Sequence, residues 1–463
     1  MKSLIHYSIL IAFIVLFLEN TVSQAQNVNI PDNAFKYTLV TDYNINTNFD
    51  KEIQVSEAVA FKGDIQAGNV NISDMTGLEA FVNITRLICS SNRITNLDLR
   101  TNASLKYLEC EYNNLTELDV THNLALQTLR CKENSIDKLD VSNNKSLKLL
   151  DCSYNFIKVL NFSENSALAH LQCSFNNIRN LDLSVNASLG YLECTYNFLM
   201  DLDVTHNLAL QTLHCDNNFL KKLDLSANKS LKDLHCHYNE ITSLNVTANT
   251  SLLYLECGVN MLSNLNLSAN RNLIYLHCGF NQLTELDISG MASLEDLYCN
   301  KNALTTLDLS SCISIKSLSC EYNQLNNLNA ISLKTGIWYF RATNNPLLTC
   351  IQVNNEAYAN ATWSDAIDSW ARFSEVCIVG TEVNLSQAEI VVFPNPNNGI
   401  FTISGLPAEE ITIEVYSMAG EKVYSVAGRE TSHRVDISGC TKGIYIVNIS
   451  NGKNVFTHKA EIR

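Results

Sequence analysis

The sequence predicts a mainly β protein: a solenoid of short parallel strands with a small helical N-terminal cap, followed by a C-terminal β-sandwich of the Ig-like type. Three observations lead to this expectation. A cysteine recurs at a constant step of 21 residues through the middle of the chain. Aliphatic residues recur at fixed distances around each of these cysteines. Near the C-terminus, short segments of alternating apolar residues are separated by glycine turns.

The cysteine series sets the frame of the repeat, and it runs through positions 89, 110, 131, 152, 173, 194, 215, 236, 257, 278, 299 and 320. Each unit reads L-x-x-L-x-C-x-x-N-x-L-x-x-L-D-L-x-x-N-x-x. Its L-x-C and L-D-L cores alternate with period two, which is typical of a short strand with one buried face. We therefore expect two short strands and no real helix in each coil, with neighbouring coils about 4.8 Å apart and burying their apolar stripe jointly.

This frame resembles the leucine-rich-repeat family, and in particular its 21-residue nested subclass with cysteine in the first strand, the IRREKO type. The resemblance covers residues 81–345, about 12 repeats. It implies a repeat solenoid that offers long continuous surfaces for binding. A larger duplication is also present, because residues 187–213 nearly repeat residues 103–129, which lie 84 positions earlier. The array has therefore grown by the copying of blocks of coils.

Three repeated columns of polar or sulfur-bearing residues have structural explanations. We expect the Asn three residues after each Cys to bond backbone groups of the turn in its own and adjacent coils. The cysteine column could bind metal or form disulfides, but buried thiols acting as small hydrophobic groups are the simpler explanation. The Asp or Asn nine residues after each Cys could form a calcium strip, but a turn-forming hydrogen bond suits this mixture of residues better.

Binding specificity is expected in the outward positions of the first strand, because packing fixes the rest of the frame. Aromatic and charged groups on a rigid exposed sheet suit recognition. The candidate ligand-binding residues are Tyr107, Tyr191, His214, His235, Tyr254, Glu256, Tyr275 and His277. The same face carries five of the ten histidines, His170, His214, His235, His237 and His277. A metal site or a pH switch is thus an alternative to plain exposed polar aromatics.

The N-terminal part is expected to contain an export signal and a cap. Residues 1–25 have a charged start, an apolar run and a small-residue cleavage signature, which predict a secretory signal peptide. Residues 26–80 are predicted to form the N-terminal cap, with two short helices. The loop between the helices resembles an EF-hand loop, although Asn46 replaces the usual first Asp and Lys51 replaces the turn Gly. Its candidate calcium ligands are Asn46, Asn48, Asp50, Glu52 and Glu57; the alternative is a cap without an ion.

Residues 346–387 are predicted to form a C-terminal cap and linker. The spacing of Trp363, Trp370 and Phe373 favours a helix packed over the last coil. Cys350 and Cys377 lie outside the cysteine series and flank this cap. In a secreted protein they are candidates for a disulfide.

The last segment, residues 388–463, contains the order P-N-P, G-x-F-x-I, Y-x-x-x-G, V-D-I-S and G-x-Y. This order resembles the C-terminal sorting domain, type A, of the type IX secretion system of certain Gram-negative bacteria. The resemblance implies that the chain is a client of that secretion machinery, and that it crosses the outer membrane. It also implies later removal of the domain, with release of the protein or its anchoring to surface lipopolysaccharide.

These observations predict a protein that is secreted or displayed at the outer cell surface and mediates protein–protein binding or adhesion through the exposed strand face. A glycan-binding surface protein and a passive surface-layer spacer are the alternatives. We expect no enzymatic activity, because the sequence has no Gly-rich phosphate loop, G-x-S-x-G elbow or H-E-x-x-H motif. A net charge of -15 argues against nucleic acid, and the mature chain has no apolar segment long enough to span a membrane.

Overall fold

The computed structural model describes residues 26–42, 44–377, 390–406, 410–450 and 455–463. The chain divides into one unit that ends at Cys377 and a second that begins at Ile378. The predicted signal peptide, residues 378–387 of the predicted linker and residues 388–389 of the predicted sorting domain lie outside the described residues. Among the described residues, no helix has the length and apolar character needed to cross a lipid bilayer.

A parallel sheet, here called the main sheet, runs through the first unit. Within the described residues it has fourteen strands, one from each successive coil. The middle residue of each strand is buried, because alternate side chains of a strand point to opposite faces. The strands are Asp64–Gln66, Arg86–Ile88, Tyr107–Glu109, Thr128–Arg130, Leu149–Asp151, His170–Gln172, Tyr191–Glu193, Thr212–His214, Asp233–His235, Tyr254–Glu256, Tyr275–His277, Asp296–Tyr298, Ser317–Ser319 and Tyr339–Arg341.

The expectation of a second strand in every coil is wrong for most of the described coils. The second half forms strands only at Leu118–Asp119 and Leu139–Asp140, and in a four-stranded sheet of Thr306–Asp308, Asn327–Asn329, Cys350–Gln352 and Arg372–Ser374. The Asp or Asn nine residues after each Cys accepts the backbone N–H two residues further on, as Asp182 does from Ser184 at 3.0 Å. This turn begins at the Asp or Asn within the L-D-L core, and the second strands that do form there are only two or three residues long.

Two asparagine ladders join the coils, and the first was predicted from the sequence. In this ladder, Asn197 donates from Nδ2 to the carbonyls of Cys173 at 3.0 Å and Cys194 at 3.2 Å. Its Oδ1 accepts the N–H of Ile178 at 3.0 Å. In the second ladder, Asn207 donates to the carbonyls of Leu183 and Asn186, but its buried Oδ1 has no hydrogen-bond partner. The first ladder therefore satisfies more backbone groups per side chain than the second.

The cysteine series lies in the core as free thiols, each of them buried. The main sheet extends past both ends of the series, and at its N-terminal end it begins before the predicted start of the repeats at residue 81. At the N-terminal end Ile65 and Ala67 occupy the Leu and Cys places, and at the C-terminal end Phe340 and Ala342 do so. The Cys position of the repeat requires a small buried side chain rather than a thiol, so the cysteine spacing does not identify these two coils.

The two caps contain the helices of the first unit. Helices Asn33–Thr41 and Val55–Ala60 lie in the N-terminal cap, and a short 3-10 helix follows at Leu78–Ala80. Asp32 caps the first helix by accepting the N–H groups of Ala34 and Phe35. Phe35 and Leu39 of this helix are fully buried in the solenoid core, which closes the apolar end of the array.

The C-terminal cap differs in part from the expectation. A helix spans Glu356–Trp363, followed by a 3-10 helix at Ser364–Ala366, and Trp363 is buried against Phe340. Trp370 lies in a turn and is 54% exposed, whereas Phe373 is buried in a strand, so the predicted single helix through all three aromatic residues is wrong. The structure joins Cys350 and Cys377 in a disulfide, with their Cα atoms 5.8 Å apart.

The second unit contains two antiparallel sheets. One consists of Val391–Phe393, Ile400–Ser404 and Ser432–Asp436; the other consists of Ile411–Ser417, Lys422–Gly428, Gly443–Ser450 and Val455–Ile462. Residues from both sheets share one core, among them Phe401, Val435, Val415 and Val447. This packing is the predicted β-sandwich.

Candidate binding site

The outward side chains of the main sheet form aligned columns. Strands Tyr191–Glu193, Thr212–His214, Asp233–His235, Tyr254–Glu256 and Tyr275–His277 are adjacent and pair in parallel without a shift in register. The repeat step fixes this register, so the outward residues of neighbouring coils stand side by side. We call the outward surface of these five strands the strand face. It brings together the candidate residues Tyr191, His214, His235, Tyr254, Glu256, Tyr275 and His277.

Tyr107 is a candidate that lies away from the strand face. Its strand is separated from Tyr191–Glu193 by three other strands of the main sheet. Its hydroxyl donates to Glu109 at 2.6 Å, and the guanidinium of Arg86 lies over its ring at 4.1 Å. Tyr191 repeats the first of these contacts with Glu193 at 3.0 Å, and its ring stacks on His170 at 4.1 Å.

A group of histidines and carboxylates occupies the centre of the strand face. We call it the histidine cluster, and it consists of His214, Asp216, Asp233, His235, His237 and Glu256. Nε2 of His214 lies 3.1 Å from Oδ2 of Asp233, and Nε2 of His235 lies 3.1 Å from Oδ1 of the same residue. Nδ1 of His237 lies 2.7 Å from Asp216 and 3.2 Å from Glu256. Three members of this cluster, His214, His235 and Glu256, are among the ligand-binding residues predicted from the sequence.

The cluster shifts the pKa values of its members in opposite directions. Burial would raise the pKa of Asp233, but its contacts with His214 and His235 outweigh burial and hold that pKa well below its usual range. Burial would lower the pKa of His237, yet Asp216 and Glu256 raise it to about 9. Burial lowers the pKa of His277. At neutral pH the imidazole of His237 is therefore cationic and that of His277 is neutral.

An aromatic groove that was not predicted from the sequence lies beside the main sheet, where the chain leaves the strands. It has a volume of about 720 Å³, and its rings come from Phe156, Phe175, Tyr196, Phe198, Phe219 and Tyr238. Phe175 and Tyr196 stack at 4.2 Å, and Tyr196 is 50% exposed. A signal was present in the sequence, because an aromatic residue stands two places after the Cys in many coils. We call this surface the aromatic groove.

The EF-hand-like loop is folded around hydrogen bonds of its own. Asn46 is buried and donates to the carbonyl of Asp50 at 2.8 Å, and Asn48 donates to the carboxylate of Asp50 at 3.1 Å. Glu57 accepts the backbone N–H groups of Thr47 and Gln54, so it serves as a helix cap. Glu52 points elsewhere and pairs with Lys36 at 2.6 Å. The structure therefore brings Asn46, Asn48 and Asp50 together, while Glu52 and Glu57 have other partners, and calcium binding stays a prediction.

Comparison with known families concerns the second unit. Residues 391–463 match the family described as a secretion system C-terminal sorting domain. This segment is a type IX sorting domain. The domain indicates a protein that is secreted or held at the cell surface, and it implies an interaction with the secretion machinery. A comparison of the whole chain with curated proteins gave no match.

Solved structures similar to this chain contain leucine-rich repeats. The functional domain of InlJ from Listeria monocytogenes, described as including a cysteine ladder, is 26% identical with a TM-score of 0.61; the match covers 95% of this chain and 100% of that chain. The internalin inlF of the same organism is 18% identical with a TM-score of 0.53, over 70% and 96% of the two chains. The repeat ectodomain of the receptor kinase GASSHO1/SCHENGEN3 from Arabidopsis thaliana is 18% identical with a TM-score of 0.56, over 67% and 40%. The repeat unit is a leucine-rich-repeat solenoid.

Proposed function

We propose that this protein is exported to the outer cell surface of a Gram-negative bacterium, or released from it, and binds an extracellular protein through the strand face. The observation that carries the proposal is the exact register of five adjacent strands, which gathers tyrosine, histidine and carboxylate side chains on one surface. The first asparagine ladder holds the backbone beneath this surface, so little conformational entropy is lost when a partner docks.

The chemistry of the strand face suits a protein partner. Tyr254 is 42% exposed, and its ring offers apolar contact area together with a hydroxyl group. The histidine cluster beside it provides donors and acceptors at fixed positions. Aromatic residues surrounded by such polar groups are typical of residues that dominate binding energy at protein interfaces.

We further propose that the protein binds rather than catalyses. In the part of the chain that the structure describes, the imidazoles of the histidine cluster contact carboxylates, and none is hydrogen-bonded to a Ser or Cys side chain. A base without a nucleophile beside it supports no acyl transfer. The outward surface of an open sheet also gives little protection from water.

The test is a binding screen of the full chain on an array of extracellular proteins and glycans. The variant Tyr254→Ala/Tyr275→Ala/His277→Ala should weaken binding to the protein probe at least tenfold. The control Tyr37→Ala/His122→Ala removes exposed rings outside the strand face and should bind as the unchanged chain does. Equal binding by all three chains would contradict the proposal. Absence of any binding partner on the array would favour the passive spacer.

Glycan binding is a second candidate function, favoured by the aromatic groove. Exposed rings in a row, such as Tyr196, Phe198 and Phe219, can stack on the apolar faces of sugar rings. The same array separates this function from the first one. A glycan probe that binds the unchanged chain and the strand-face variant, but not Tyr196→Ala/Phe219→Ala, would assign glycan binding to the aromatic groove.

A further inference from the structure

The histidine cluster contains three side chains whose ligating atoms converge. His214 lies at the end of strand Thr212–His214, and Asp233 and His235 are the first and last residues of the adjacent strand. His214 is paired in register with His235. The residues between them in each strand, Leu213 and Leu234, are fully buried, so the three polar side chains share the outward side of the sheet.

The distances among these atoms suit a small metal ion. Oxygen atoms of Asp233 lie 3.1 Å from Nε2 of His214 and 3.1 Å from Nε2 of His235. One ligand atom from each residue can be chosen so that all three lie within 4.8 Å of one another. In a tetrahedral zinc site, ligand atoms about 2.0–2.2 Å from the metal are about 3.3–3.5 Å apart. Small side-chain rotations would therefore bring the three groups to ligating distance.

A second observation points to a missing cation. Oδ1 of Asp233 is buried and has no hydrogen-bond partner, although Nε2 of His235 is near it. A buried carboxylate oxygen without a partner destabilises the fold. A metal ion coordinated by this oxygen would remove the penalty.

A carboxylate lies near the far side of the His235 ring, although beyond hydrogen-bond distance. Nδ1 of His235 faces Oε2 of Glu256 at 3.9 Å, on the ring side opposite to Asp233. A carboxylate on the far side of a ligating imidazole orients the ring and raises its basicity. The rings of His214 and His235 are stacked at 4.1 Å, which holds both in one orientation. No thiol competes on this side of the sheet, because Cys215 and Cys236 are fully buried in the core.

We propose that His214, Asp233 and His235 bind a zinc ion on the strand face. Two imidazole nitrogens and a carboxylate oxygen form a ligand set that Zn²⁺ accepts, and three protein ligands leave a fourth position open toward solvent. Glu256 acts as a positioning residue for His235. The site is independent of the identity of any partner of the strand face, so the two proposals can fail separately.

The experiment is a calorimetric titration of the full, chelator-treated chain with zinc chloride. We expect one equivalent to bind. The variants His235→Ala and Asp233→Asn should weaken binding at least a hundredfold, while Glu256→Gln should weaken it about tenfold. His206→Ala removes an exposed histidine outside the cluster and should leave the affinity unchanged. Circular dichroism of each variant checks that the solenoid is intact.

A cobalt titration of the unchanged chain provides a measurement that needs no variant. Co²⁺ in a site of two histidines and one carboxylate gives the visible absorption of a four- or five-coordinate ion, without the near-ultraviolet charge-transfer band of a cobalt–thiolate bond. That spectrum would support the proposal. The proposal is overturned by a thiolate band, by no zinc binding to the unchanged chain, or by equal binding in Asp233→Asn.

Discussion

Removal of one asparagine from the first ladder should destabilise the solenoid more than removal of one from the second ladder, although both side chains are buried. Asn197→Ala leaves the N–H of Ile178 without a partner, because Oδ1 of Asn197 is its acceptor. The carbonyls of Cys173 and Cys194 each lose one of two bonds, since Asn176 and Asn218 still donate to them. One unsatisfied buried N–H and the loss of one hydrogen bond at each of the two carbonyls should together lower the free energy of unfolding by about 3 kcal/mol.

Asn207→Ala is the matched control in the same coil. Its two acceptors, the carbonyls of Leu183 and Asn186, keep backbone donors at Asn186 and Leu189. The substitution also removes an Oδ1 atom that is buried without a partner. We therefore expect the free energy of unfolding to fall by about 1 kcal/mol, which is the net contribution of a typical hydrogen bond.

The measurement is urea-induced unfolding of the full chain, followed by far-ultraviolet circular dichroism. The unfolding midpoint should fall for both variants, and the fall for Asn197→Ala should be two to three times larger. If Asn207→Ala proves as destabilising as Asn197→Ala, the loss of packing volume governs the ladders and the hydrogen-bond argument is refuted. The same conclusion follows if the free energy of unfolding of Asn197→Ala lies within about 0.5 kcal/mol of that of the unchanged chain.

Three further predictions concern thiols, carboxylates and calcium. Burial raises the pKa of Cys89 to about 12, and the other thiols of the cysteine series are buried as well. A thiol reagent at pH 8 should therefore modify only the partly exposed Cys440 in the folded chain. Rapid modification of more than one thiol would contradict this. Hydrogen bonds from Thr121 lower the pKa of Asp119 in the folded chain. This carboxylate therefore stabilises the fold at a pH above about 4, the pKa of an Asp in the unfolded chain. The stabilisation is lost as the pH falls through the lower pKa of Asp119 in the folded chain. Asp119→Asn keeps the acceptor without titrating, so the midpoint of urea unfolding should fall less between pH 5 and pH 2 than in the unchanged chain; parallel curves would contradict this. Finally, calorimetric titration with calcium should give weak heat that Glu57→Ala abolishes, and no heat from either chain would end the calcium hypothesis.

The strand face could be predicted because its geometry depends only on the repeat. A constant step of 21 residues fixes which residues are neighbours across coils, and period two fixes which of them point outward. The repeat therefore predicts that His214 and His235 lie side by side. It does not predict the contact of His237 with Asp216, because that contact depends on side-chain rotamers rather than on register.

The aromatic groove could not be predicted because its backbone is unusual. The residue two places after each Cys has a positive φ, including Tyr196 at 51° and Val259 at 51°. Glycine and asparagine are the residues expected at a positive φ, whereas β-branched and aromatic residues rarely adopt this conformation. The asparagine ladder bonds the backbone on both sides of this residue and so holds the strained turn in each coil. The recurrence of aromatic residues two places after the Cys is visible in the sequence, but their meeting in a groove depends on this backbone conformation, which the repeat pattern does not predict.

Coils four repeats apart offer a last test of the zinc site within the same chain. An offset of 84 residues relates His214, Asp233 and His235 to Arg130, Leu149 and Asp151. The earlier block lies in the same sheet, and Arg130 pairs in register with Asp151 as His214 does with His235. The core residues of the two blocks are nearly the same, so the backbones should superpose while the outward residues differ.

Transfer of the three ligands to the earlier block should therefore create a second site. The variant Arg130→His/Leu149→Asp/Asp151→His should bind two equivalents of zinc, the new one about tenfold more weakly, because Gln172 stands where Glu256 orients the native site. Gln172→Glu added to that variant should restore most of the difference. If the folded variant still binds one equivalent, the register and the three ligands are not sufficient for zinc binding. The metal site would then require the wider histidine cluster, with Asp216 and His237 contributing to its charge.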